Sequence, residues 1–375
     1  MYKMRSLIIT FAFLSLWVTP ASAQELHDDV QGTWSAKVLE VVSSDTTALI
    51  DGTGYPTQEL KVRIMSGPEA GEEVQFKNDY IQLRAGDTFF INSLQDISGK
   101  KLYNVFDYNR RTSIYFLLGI FAIIVVAFGG MQGLRSLIAL LVSLLAIVFV
   151  LIPMLLAGYS PILTSTAVAS GILFVAIFAT YGIRMSSCIA FAGTSIAVMF
   201  TGVLSYAFAY STRLTGMASE EAAYLNLGSM GQLDMFGLLL AGFIIGSLGV
   251  LDDIAATQVA VVEELYATDP SLSRRAVYSR ALTVGRAHVA ALVNTLVLAY
   301  TGASLPLLLL FFQGGLATLN IINMEVFATE IVRSVVGSLG LIVAVPVTTA
   351  LAVYFLKGRK SGNHAGHGHA HSHAH

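Results

Sequence analysis

Two carboxylates, Asp252 and Asp253, stand side by side inside an apolar run from Met235 to Val262, about 42 Å long at 1.5 Å per helical residue. Acids at membrane depth cost about 2.5–3.5 kcal/mol each on insertion scales, so they normally face a protein interior or a wet cavity and mark ion or proton pathways. One carboxyl of such a pair can take up and release a proton during a conformational cycle. A hard cation held between the two carboxylates and a nearby amide is a variant, and a hydrogen-bonded network that only fixes helix packing is the structural alternative. Steps of three and four from Asp253 collect Gly242, Gly246, Gly249, Thr257, Ala260 and Glu264 on one helical face. This predicts Asp253 in a tightly packed seam of glycines. Asp252, about 100° around the helix, is expected to point toward a neighbouring cavity.

The following apolar segment carries a polar stripe of its own, His288, Ala291, Thr295, Ala299 and Gly302, with Asn294 beside Thr295. In an antiparallel pair Asn294 and Thr295 come to the depth of the two acids, where Asn294 is expected to hydrogen-bond a carboxyl group. Arg286 and His288, with Glu263 and Glu264, are expected to line the cytoplasmic mouth. Between the two segments, residues 269–280 read as a short amphipathic helix with Asp269 as its N-cap, Pro270 as its first residue and its arginines against anionic headgroups. Glu330 and Arg333, three apart, are expected to pair as a helix stabiliser.

The elements that position these residues follow from hydropathy. Apolar segments near 113–130, 136–157, 162–182, 188–210, 235–262, 287–312 and 332–356 predict an all-α membrane bundle of about seven spans. Nine basic residues would lie in the inner connections (Arg135, Arg184, Arg274, Arg275, Arg280, Arg286, Lys357, Arg359, Lys360), against only Arg213 in the outer ones. The positive-inside tendency then places the C-terminus in the cytoplasm and the residues before the first span outside. Lys3 and Arg5, the apolar run Leu7–Val18 and Ala21-Ser22-Ala23 have the layout of a signal peptide over 1–23, or of an uncleaved anchor. Residues 24–108 alternate with period two and predict a small exported β-domain of five or six strands, an OB-like barrel being one form, with a hairpin at Gly67–Gly71. A transmembrane domain over 109–356 and a cytoplasmic tail from 357 complete the division.

Composition agrees. Of 375 residues 55% are hydrophobic and only 12% charged, about half the charge of a soluble domain. Twenty-two basic against 24 acidic residues offer no surface for nucleic acid. Cys188 is the single cysteine, so no intrachain disulfide can form. No nucleophile–base set, phosphate loop or cofactor motif is evident, and an enzyme is not expected. The tail does hold His364, His367, His369, His371, His373 and His375, and imidazoles suit weak Zn, Ni or Cu binding.

Four strings carry a resemblance: Gly249-Val250-Leu251-Asp252-Asp253-Ile254-Ala255-Ala256-Thr257-Gln258, the Asp-Pro-Ser-Leu-Ser-Arg-Arg stretch at 269–275, Val284-Gly285-Arg286-Ala287-His288, and residues 293–306 beginning Val-Asn-Thr-Leu. Over about 105–356 the chain resembles the YibE/F-like bacterial membrane proteins, whose layout also fits an exported β-domain. A looser likeness of arrangement is to the proton-coupled RND and SecD/SecF permease halves. Together these imply a permease or permease subunit in which the aspartate pair couples proton or cation movement to transport. The alternatives are a non-transporting envelope scaffold and a divalent-metal transporter with the histidine tail as a cytosolic trap. The lipid bilayer is the expected partner, with a second family member or a homo-oligomer beside it.

Overall fold

A computed structural model describes residues 30–48, 54–95, 101–315 and 317–358. The expected signal segment, Arg359, Lys360 and the histidine tail lie outside the described residues. The chain divides into two compact units, one over residues 22–125 and the other over the remainder.

The first unit is built on strands β1 (Val30–Ala48), β2 (Gly54–Ile64), β3 (Glu73–Asn78), β4 (Thr88–Gln95) and β5 (Lys101–Tyr108). They form one antiparallel sheet in the order β3-β2-β1-β4-β5. β1 serves two partners: residues 36–48 pair with β2 and residues 30–37 with β4. Register shifts at Val38/Glu40 and Val41/Ser43 bend it, because each bulge adds twist and curl. The sheet is therefore a curled half-barrel. Among the described residues closure into an OB-like barrel is not reached: the edge strands β3 and β5 meet through the rings of Phe76 and Tyr103, 6.5 Å apart, not through a backbone ladder.

Alternation works as the sequence requires, with Ala36, Val38, Leu60, Val62, Phe89 and Ile91 turned to a common core. Gln58 is buried with them and is satisfied by the Leu83 backbone, donating from Nε2 to its carbonyl at 2.9 Å and accepting its N–H at 2.8 Å. The β2–β3 connection is the expected hairpin, with Gly71 N–H donating to Ile64 O at 2.8 Å. The indole of Trp34 lies over the backbone of Gly32 and Gly67, at φ +132° and +93°, where a side chain would collide with the ring.

Helix α1 (Arg111–Ala146) continues through a π-helical turn (Ile147–Leu151) into α2 (Ile152–Leu156), a run of 46 residues. Straight, it would measure about 69 Å, more than twice a hydrocarbon core. Gly130 breaks it, at φ 55° and ψ −137°, a conformation open in practice only to glycine. The two apolar segments read near 113–130 and 136–157 thus meet at one residue instead of a loop. Next come α3 (Pro161–Tyr181), α4 (Met185–Ser211), α5 (Glu220–Gly228), α6 (Met235–Thr268) and α7 (Arg274–Ala303). After them follow α8 (Leu305–Gln313), α9 (Thr318–Asn323) and α10 (Glu325–Leu356). Six of these runs are long and apolar enough to cross a membrane.

The centre of this unit is α6, packed against α3, α4, α7 and α10. Leu251, Ile254, Leu173, Ile177, Leu341 and Ala344 are wholly enclosed there. Close approach depends on Gly193 against Thr348, Gly340 against Thr201, and Gly285 against Val345 and Gln258, where an added Cβ would collide. Glu325 at the start of α10 ties down the loop after α4, accepting the Thr215 hydroxyl at 2.9 Å and the Gly216 N–H at 3.0 Å. Glu330 pairs with Arg333 at 2.9 Å as expected, and the guanidinium also lies over the rings of Phe243 and Tyr300.

The connection between α6 and α7 corrects the expected amphipathic helix. Ser273 is the N-cap, accepting from Ala276 N–H at 3.2 Å, and α7 then runs unbroken into the apolar segment. Asp269 ends α6 instead, its carboxylate accepting the Ser271 N–H at 2.9 Å and hydroxyl at 2.6 Å. An Asx turn uses the side chain that an N-cap would need.

Candidate functional site

The paired acids are split by the geometry of the helix that carries them. Leu248, Leu251, Ala255 and Val259 define the buried face of α6, and Asp252 lies at its margin, half-buried. Its Oδ1 is enclosed and receives no hydrogen bond from any described residue. Tyr181, at the end of α3, is within electrostatic reach of both carboxylates. Asp253 faces outward and is exposed, as are Gly242, Gly246, Gly249, Ala260 and Glu264.

This reverses the sequence expectation. The glycine stripe does not form the packed seam of the single chain, and Asp253 is not in it. Large apolar residues claim the interior because they bury more hydrocarbon, while close packing uses glycines on other helices, Gly193, Gly285 and Gly340.

The depth match between α6 and α7 holds. Gln258 abuts Gly285 and Gly246 lies near Tyr300, so Asp253 is level with residues 290–293 and within about a turn of Asn294. The facing does not hold: Asn294 and Thr295 are exposed on the outer side of α7, and Thr295 donates to its own helix at Ala291 O. Asn294 therefore gives no hydrogen bond to either acid, and a cation site of Asp252, Asp253 and Asn294 is not assembled within one chain. Among the described residues no three His, Cys, Asp or Glu side chains converge.

The expected mouth separates in the same way. The Gly285–Gln258 contact puts Arg286 and His288 about one and a half to two and a half turns deeper than Glu263 and Glu264. Arg286 is exposed and His288 half-buried. Glu264 instead shares a surface cavity of about 210 Å³ with Asp269 and Arg280. The two hydrogen bonds from Ser271 hold the Asp269 carboxyl below the usual carboxylate range.

The interior polar groups that sequence reading passed over lie on α4, α6 and α10. Gln258 is 0% exposed and its Oε1 accepts the Thr349 hydroxyl at 2.9 Å, while its Nε2 and the Thr348 and Ser205 hydroxyls are enclosed without partners among the described residues. A glutamine inside an apolar run, and two threonines just after Pro346, were the available signals.

A helical unit with six membrane-length apolar runs, one half-buried acid at its centre and a curled sheet unit before it define a multi-pass membrane protein. The chain matches the family described as YibE/F-like protein over residues 117–358, most of its length, and it belongs to that family. No curated protein matches it, and no solved structure does.

Proposed function

We propose that this protein is a membrane permease or a permease subunit in which Asp252 takes up and releases a proton as the bundle changes conformation. The observation that carries this reading is the enclosed Asp252 Oδ1, which has no donor among the described residues. An ionised carboxylate without partners is costly out of water, and a proton on that oxygen removes the charge. Asp252 also sits where α3 meets the central α6, so a change in its charge bears on the packing of two helices. The orientation that goes with this reading has the C-terminus in the cytoplasm of the inner membrane and the sheet unit outside.

The test is a pH jump across proteoliposomes loaded with a pH-sensitive dye. Wild-type and Asp253→Asn protein are expected to speed the collapse of the gradient, and Asp252→Asn to slow it to the rate of empty vesicles. Equal rates for wild type and Asp252→Asn would leave Asp252 a packing residue. A second readout is labelling by dicyclohexylcarbodiimide, which attacks protonated carboxyls in apolar surroundings; Asp252 is expected to be modified and Asp253 to be spared.

A further inference from the structure

We propose that a second copy of this chain covers the outer faces of α6 and α7, in a two-fold arrangement that sets Asp253 of each copy against Asn294 of the other. The inference makes no use of Asp252. It begins from an inversion between two helices. The spans that include α1 and α7 are the least buried of the six, each with 11% of its most apolar window enclosed. The first exposes Phe128, Ile138, Leu141 and Phe149, side chains suited to lipid tails. α7 is the least apolar of the six and exposes Ala290, Asn294 and Thr301. Its neighbour α6 exposes Gly242, Gly246, Gly249 and Asp253. A carboxylate and an amide turned toward hydrocarbon are costly, so protein must cover them.

The identity of the cover follows from complementarity. Asp253 accepts hydrogen bonds and Asn294 can donate them, and the helix register places the two within about one turn of the same depth. Copies inserted in one membrane share orientation, so groups of equal depth meet across a two-fold axis along the membrane normal. With α6 of one copy against α7 of the other, each acid gains an amide donor, twice per dimer. The exposed glycines of α6 allow the backbones to approach. A single surface thus supplies both halves of the contact.

The experiment uses the full-length chain with Cys188→Ser as background. Two differently tagged copies, one carrying Gly249→Cys and the other Asn294→Cys, are co-expressed and oxidised in the membrane. The expected result is a cross-linked pair containing both tags, with no such product when Phe128→Cys replaces Asn294→Cys. Single-molecule photobleaching in sparse vesicles is expected to give two steps per spot, and Asn294→Leu to weaken association about three- to ten-fold. One-step bleaching, equal cross-linking through Phe128→Cys, or cross-linking of Gly249→Cys to a different protein would each overturn the proposal.

Discussion

A carboxylate's behaviour here depends on which way its Cα–Cβ bond points, and one step along α6 is enough to change it. Asp252 borders the packed interior and Asp253 faces out, so the two carboxyls meet different surroundings while each lies within the other's field. Asp269 shows a third environment, at the surface and held by Ser271. Since its folded pKa is depressed, the stability it contributes is present above the unfolded carboxylate value and is lost as pH falls through the folded one. Ser271→Ala should remove the hydroxyl bond and move the Asp269 titration up toward the ordinary range, as followed by carboxyl NMR shifts of isotope-labelled protein. An unmoved titration would mean that the backbone N–H alone sets it. At Glu325, replacement by Gln should weaken charge-assisted bonds to Thr215 and Gly216 by about 1–2 kcal/mol in total. Hydrogen exchange at the Gly216 amide should quicken while exchange in α6 stays constant.

For the helices, what matters is which glycine meets which neighbour. Gly340→Val drives a branched side chain into Thr201 and should cost about 1–3 kcal/mol. Gly242→Ala meets open space and should leave the folding of one chain unchanged or slightly favoured. Thermal unfolding in detergent distinguishes the two, and equal destabilisation would contradict the packing described. These glycines also mark where sequence reading stopped. Hydropathy located the apolar segments and period two located the strands, because both patterns are local. The end of one segment was missed where Ser304 and Pro306 interrupt it. Helical periodicity places Gly242, Gly246, Gly249 and Asp253 on a shared face, yet it has no term for which neighbour that face meets. Leu251 and Ile254 outbid the glycines for the interior through area buried, which is a property of the assembled bundle. For the same reason the depth of Asn294 was legible and its facing was not. The cap at Ser273 was hidden because Asp269 and Ser273 are both good capping residues, and only the Asx turn to Ser271 decides between them.

Over the whole molecule, the proposed topology depends on the break at Gly130. On that reading the run 111–156 crosses twice, with a turn at the break, and the two ends of the helical unit come to opposite faces. In a Cys188→Ser background, Met131→Cys should then react with an impermeant thiol reagent from the side that also reaches Lys357→Cys. Protection of Met131→Cys from both sides would instead bury the break within the membrane. Trp34 carries a different consequence. The sequence contains two tryptophans, Trp17 and Trp34, and none in the helices from α1 onward. Its indole rests on the Gly32 and Gly67 backbone within the sheet unit. Light absorbed at the red edge of the indole band is therefore not taken up by any chromophore of the helical bundle, although that bundle holds many tyrosines. With Trp17 replaced by Phe, emission excited there follows the curled sheet while circular dichroism follows the helices, giving sheet and helices separate optical signatures in one unlabelled chain.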